Sequence, residues 1–331
     1  MRFPTAAGSA LRHLTGRLAR PALVALLLAG LGACASAPGA QVAAAPKAPR
    51  PYVSSKRLGD DAFAQFICIR EFKPDGATGP AVFLAGAIHI AEPAYYAELQ
   101  KHLDAQEVVL FEGVGSKDPA AVAKRKAQHE KGQDTYSLLA SKLGLVSQMQ
   151  GIDYHRAHFM NADLAMEDLY RNMDADAAKP GDAGEEARAA KAGLQTVDAM
   201  FKPGNVAVGL GLWAIESSPK IRAQIRLTMA RMDKQGGDAG FGERLGQAII
   251  QERNGAALKK LAQVLKEQPQ AKSISIFYGA AHMPDMEARL VREFGYHAVK
   301  SQWLRCITAR PLAEGMSKAD LDEALSHAAA E

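Results

Sequence analysis

Residues 81–89 run AVFLAGAIH, from Ala81 to His89. Val82, Phe83 and Leu84 form an apolar run, Gly86 breaks it, and His89 follows three residues later. A short run rich in Val, Phe and Leu and bounded by Gly predicts a buried strand. Glycine lets the backbone turn where a side chain would clash. The imidazole is left at the strand's C-terminal end, where open α/β sheets bind ligands.

The same design returns in SISIFYGAAH, Ser273 to His282. Ile274, Ile276 and Tyr278 alternate along it, Gly279 breaks it, and His282 follows three residues on. Two strand–Gly–x–x–His units in one chain predict two imidazoles delivered to one place. A repeated neutral nitrogen ligand is the usual device for holding a metal.

The start of the chain has a different character. Arg2, Arg12, Arg17 and Arg20 precede the apolar stretch PALVALLLAGL, Pro21 to Leu31. That stretch is too short to span a bilayer and has the layout of a signal peptide. It ends in Leu31-Gly32-Ala33-Cys34, which resembles the bacterial lipoprotein box, so residues 1–33 are expected to be removed and Cys34 lipidated. Ala35 follows the cysteine. By resemblance to Gram-negative lipoproteins, this favours an outer-membrane anchor facing the periplasm. Several acyl chains give stable attachment, at roughly 0.8 kcal/mol per buried methylene. Residues 35–57, rich in Ala and Pro, are expected to be a disordered or extended tether.

The formal charge of +4 comes from the signal, since residues 1–33 hold four Arg and no acid. The remainder is balanced, which argues against a nucleic-acid partner. Its length suits one large domain, or one domain with an inserted lobe. Beyond Cys34 there are two cysteines, Cys68 and Cys306, in strand-like segments near opposite ends of the domain. In an oxidising compartment they form a disulfide or remain two buried thiols.

In chain order, Ala62 to Phe72 is expected to be the first strand, and it forms a hairpin with the strand at 81. Pro93 opens a helix with Tyr96, Leu99 and Leu103 at helical spacing. EVVLFEG, Glu107 to Gly113, is the next strand, with Glu112 at its end. Strand, helix and strand make a βαβ unit, which is expected to set His89 and Glu112 at one edge of neighbouring parallel strands. Residues 118–267 form a helical lobe inserted into a mixed α/β domain at 58–310. Within it Asp134 or Thr135 caps a helix, residues 150–154 are a short strand, and Asn161 caps a helix. Residues 174–193, rich in Ala, Gly and acids, are expected to be a mobile helix-linker region. The Lys124-Arg125-Lys126 run is a solvated face, and breaks fall at 203–204, 217–219 and 236–237. Phe241 to Gln268 is the longest helix, with Leu245, Ile249, Ala257 and Leu261 on its apolar side. Arg253 lies on that side too, and a charge there needs a partner or a ligand. Gly295 ends a helix through Met286, Leu290 and Phe294. Tyr296 to Ile307 holds one or two strands. Ser317 caps a last helix, in the segment 311–331.

Gly86-Ala87-Ile88-His89, Glu112, Glu252-Arg253-Asn254 and Gly279-Ala280-Ala281-His282, in that order, resemble the TraB/GumN family, which includes Tiki-type metalloproteases. The likeness covers residues 60–309, and Asn161-Ala162-Asp163-Leu164 also looks like a family feature. It implies a divalent-metal-dependent hydrolase of the erythromycin esterase and ChaN-like superfamily, with a mixed central sheet. It also implies that His89, Glu112, Arg253 and His282 are the functional residues. The family often has Thr or Ser where this chain has Ala87, which removes a hydroxyl hydrogen bond beside the site.

The residue types agree with that implication. Two imidazoles and a carboxylate suit Zn, Mn or Co with an open position for water. Glu112 is a ligand or the general base, and Arg253 would bind an oxyanion or a substrate carboxylate. Asp163, Glu252 and Asn254 are candidates for supporting roles, and Asp163 also for ligation. His155 and His158 are surface residues or further ligands. HExxH, GxSxG and CxxC are absent, and Gly113 to Lys117 lacks the phosphate-loop spacing. The expected activity is cleavage of a peptide or amide bond at the membrane surface. The alternative is a binding lipoprotein without turnover, for haem, in a cleft lined by Met, Tyr and His.

Overall fold

The computed structural model describes residues 50–76, 78–113, 115–201, 205–232 and 246–327. The expected signal segment, Cys34, most of the expected tether, the expected breaks at 203–204 and 236–237, and the start of the helix expected from Phe241 lie outside the described residues, as do the side chains of Arg125, Lys126 and Ile249.

Three strands open the domain: β1 (Val53–Gly59), β2 (Ala62–Pro74) and β3 (Ala81–Ala87). A two-residue strand, β4 (Ile90–Ala91), leads into α1 (Pro93–Asp104), and β5 (Val108–Phe111) follows. The chain is then mainly helical: α2 (Pro119–Glu130), α3 (Thr135–Lys142), α4 (Gln148–Gly151), α5 (Met166–Ala177), α6 (Asp182–Phe201), α7 (Val206–Ser217), α8 (Pro219–Arg231) and α9 (Arg253–Glu267). Two short strands interrupt this region, β6 (Val146–Ser147) and β7 (Phe159–Asn161). Last come β8 (Ser273–Gly279), α10 (Met283–Phe294), β9 (Tyr296–Ala309) and α11 (Lys318–His327).

The architecture is mixed α/β, a central sheet with parallel and antiparallel pairs flanked by helices. One edge of β2 carries β9 antiparallel along nearly its whole length. The other edge is shared by β1, opposite 62–67, and β3, opposite 69–72. Beyond β3 every pairing is parallel, in the order β3, β8, β5, β7. Leu84, Ile276 and Leu110 lie side by side across the middle three strands, all fully buried. Each contributes roughly 1.5–3 kcal/mol by leaving water. A parallel strand covered on both faces needs such a continuous apolar run.

Several expectations change. Strand β8 inserts between β3 and β5, so His89 and Glu112 do not follow neighbouring strands. The first strand is β1, and the expected tether therefore ends before Val53. Residues 150–154 contain no strand. Gln148–Gly151 is a helical turn, and the sheet takes up Phe159–Asn161 instead. Residues 174–177 and 182–193 lie in α5 and α6, joined by a turn at 178–181. Ala spacing and acidic first turns favour helix there. Before α9 the backbone widens into a π-helical turn, Gln247–Glu252. Such turns are often found at functional sites. Of the one or two strands expected from Tyr296, the structure has one, Tyr296–Ala309, bent by bulges. Asn161 does not cap α5, whose N-cap is Ala165.

Other signals hold. Asp134 accepts from Ser137 N at 3.0 Å and caps α3. Gly295 has φ +66°, the left-handed geometry that ends α10. Cys68 and Cys306 are free, buried thiols with no disulfide between them. Cys68 pairs with Trp303 in the β2–β9 register, whereas Cys306 donates to Gln65. Among the described residues no helix is long and apolar enough to cross a membrane.

Candidate functional site

The four parallel strands deliver their side chains in a row. Gly86 lies opposite Tyr278, and Ala87 opposite Gly279, so β3 and β8 end level. His89 follows two residues after β3 and His282 three after β8. Glu112 comes directly after β5, and its N–H continues the ladder to Phe277 O at 2.8 Å. Asp163 follows β7 at the sheet edge. Arg253 reaches the row from the first turn of α9.

Similar sequence produces two different corners. After Gly279 the chain turns into a 3-10 helix, Ala280–His282, and straight on into α10. After Gly86 the strand continues through Ala87, and His89 sits in a bend before β4. Tyr95 and Tyr96 on α1 hold this bend by donating to Gly86 O at 3.2 Å and Ile88 O at 2.7 Å. Neither glycine adopts positive φ. Space is tight at both: a Cβ on Gly86 would lie 3.1 Å from Cys68 O, and one on Gly279 3.3 Å from Glu112 Oε2.

The centre is held by charge-assisted bonds. Arg253 donates from Nη2 to Glu112 Oε1 at 2.5 Å and to Asp163 Oδ2 at 2.6 Å, and from Nε to Asp163 Oδ1 at 2.9 Å. Glu112 Oε2 accepts from Gly279 N at 2.6 Å. Asp163 also accepts from the backbone of Gly113 and Leu164. Burial pushes the Glu112 carboxyl up, but Arg253, then the two imidazoles and the Gly279 N–H, hold it well below the usual range. Burial likewise weakens the Arg253 cation, but Glu112 and Asp163 outweigh it and raise its pKa.

Both imidazoles are kept neutral. Burial lowers the His282 pKa to about 3, with Glu112 opposing and Arg253 and His89 reinforcing. Burial lowers that of His89 too, against the pull of Glu112. His282 Nε2 lies 3.6 Å from Glu112 Oε1, and its Nδ1 lies 2.6 Å from Asn254 Oδ1. Asn254 is fixed by its own donations to His282 O and Asp285. An Nδ1–H bound to an amide oxygen leaves Nε2 with a bare lone pair. Tyr136 packs its ring 5.1 Å from that of His89, and Glu112 opposes ionisation of its hydroxyl after burial. Tyr278 donates to Ala162 O at 2.9 Å, behind the Asp163 loop.

The structure thus brings His282, Glu112, Arg253, Asp163 and Asn254 into contact, with His89 close enough to feel the charges of Glu112 and Arg253. Glu252 bonds instead to Asn172, at 3.0 Å. His155 is exposed and His158 faces Leu103 O at 3.3 Å, so neither joins the centre. Tyr136, Tyr154 and Gln148 had no sequence signal, because they reach the site only through the fold of the helical region.

Among the described residues no group of three or more His, Cys, Asp and Glu side chains is arranged to hold a divalent ion as it stands. The chemistry nonetheless fits: His282 turns a bare Nε2 toward Glu112, whose oxygens each keep a second lone pair, and His89 is a second neutral imidazole within range of the same charge. Compared with family models, curated proteins and solved structures, the chain matches none.

Proposed function

We propose that this chain is a divalent-metal-dependent hydrolase of the TraB/GumN type, cleaving peptide or amide bonds in the bacterial cell envelope. On this reading Cys34 carries the lipid and the domain works in the periplasm at the outer membrane. The observation that carries the proposal is the bare Nε2 of His282, 3.6 Å from a half-buried anionic Glu112, with the neutral ring of His89 in the same electrostatic cluster.

His89 and His282 would hold the ion, Mn, Co or Zn, with Glu112 as the third donor. When bound, such an ion supplies Lewis acidity and shifts the pKa of a water toward neutral. Glu112 suits ligation better than proton transfer, because a carboxylate held well below its usual pKa is a weak base. Arg253 fixes Glu112 and Asp163 through Nε and Nη2 and is itself 7% exposed. Its first task is to orient the carboxylate. Tyr136, beside His89, closes one side of the centre.

Elemental analysis of the purified mature domain tests the proposal, followed by a peptide-library cleavage assay with Mn, Co and Zn added back. Bound metal is expected in the parent chain and is lost in His89→Ala and His282→Ala. Unchanged metal content in both folded variants, or no uptake by the parent, would sink it. Labelled palmitate should be incorporated in cells and lost on Cys34→Ala.

A further inference from the structure

The His282 ring has a visible backer in Asn254. On the His89 side lies a second amide, Gln148. Ile90 pairs with Ser147 in the two-stranded β4–β6 sheet, and Gln148 N donates to His89 O at 2.8 Å. Gln148 is therefore held beside His89 by backbone register. Its side chain is 7% exposed. Nε2 donates to Tyr154 OH at 2.8 Å. Tyr154 is wedged in turn against Phe111 of β5 and Phe277 of β8, with ring centroids 5.1 and 6.0 Å away. The amide is thus fixed at its nitrogen. Its Oε1 is buried and takes no donor of full hydrogen-bond geometry. The His89 ring interacts with this same side chain.

A buried amide oxygen without a donor is rare, and each such atom calls for an explanation. We propose that Gln148 is a positioning residue for His89: its Oε1 accepts a ring N–H, fixing one neutral tautomer and leaving the other ring nitrogen bare for the centre. The arrangement parallels Asn254 on His282, where an amide anchored through its nitrogen presents its oxygen to the imidazole. Groups that orient a metal-ligating His in this way are worth about 10–100-fold in metal affinity. The inference deepens the proposed centre and rests on the role given there to His89.

The test reads the tautomer directly, without turnover. The chain carrying Cys34→Ser is labelled with 15N-histidine, kept metal-free, and its ring nitrogens are followed by long-range proton–nitrogen correlation at neutral pH. The parent should show His89 as one neutral tautomer. Gln148→Leu should move the His89 nitrogens toward a tautomer average while His282 stays unchanged, and should weaken Zn binding about 10–100-fold. Gln148→Glu keeps an acceptor and should restore the single tautomer. If Gln148→Leu proves unfolded, the Glu variant and the parent spectrum decide. A parent His89 that already mixes tautomers, or a folded Leu variant with unshifted nitrogens, overturns the proposal. So does a ring protonated on the nitrogen facing away from Gln148. A locked tautomer in a chain that takes up no Zn would leave this inference standing and remove the hydrolase reading instead.

Discussion

Asn254 Oδ1 sits 2.6 Å from His282 Nδ1, and Asn254 is completely buried. This amide decides which imidazole nitrogen remains free. Asn254→Leu should release the ring and leave His282 Nδ1 and His282 O without their buried partner. We expect a stability loss of about 1–3 kcal/mol and roughly 10–100-fold weaker Zn binding. Asn254→Asp keeps an acceptor and should lose less affinity. Calorimetric titration and urea unfolding check both, and equal affinities in parent and Leu variant would contradict the role.

Arg253 bonds to both Glu112 and Asp163 through one guanidinium. Arg253→Met leaves two carboxyls facing each other away from solvent. The loss should be about 3–5 kcal/mol, as for other broken buried pairs. Adding Glu112→Gln should restore part of it, because one of the stranded charges is gone. Urea titration with an unchanged slope checks this. A loss below about 1 kcal/mol would mean that water solvates the cluster.

Acid should destabilise the metal-free protein in two stages. His282 has an ordinary pKa of 6.5 and about 3 in the fold, so below 6.5 the unfolded chain takes up a proton that the folded one refuses. Stability is therefore complete above about pH 6.5 and falls as the pH drops toward 3, by up to about 4 kcal/mol. Glu112, held below its ordinary 4.5, stabilises the fold above that pH and loses its contribution as the pH falls further. His89 and His102, both lowered by burial, act in the same direction as His282. Unfolding curves from pH 7 to 4 should show this slope, and His282→Gln should flatten it. A slope identical in that variant would place the buried imidazole elsewhere.

Cys68 and Cys306 should each take up an alkylating reagent only after denaturation, since both are free and fully buried. Burial also pushes both thiols up in pKa, which keeps them unreactive. Reductant should leave the melting temperature unchanged. Mass spectrometry of native and denatured samples checks this, and a native mass two protons lighter would reveal a disulfide.

The sequence by itself determined the local pieces. Apolar runs ending in glycine gave β3 and β8, continuous Val-Val-Leu-Phe gave β5, and proline and glycine marked the ends of α1 and α10. These features depend on neighbours in the chain, so spacing and residue type suffice. The same local logic singled out His89, Glu112, Arg253 and His282, because each stands at a strand end or on an apolar stripe where its chemistry is out of place.

Only the tertiary structure decided which strands lie side by side. That β8 enters between β3 and β5 depends on hydrogen bonds between segments almost 200 residues apart in the chain, and no local spacing records them. It is this order that brings His282 between His89 and Glu112. Asn254 behind one imidazole and Gln148 behind the other arrive by the same route. Amides are ordinary surface residues in a sequence, and they acquire a role only when folding buries them against a ring that needs a partner.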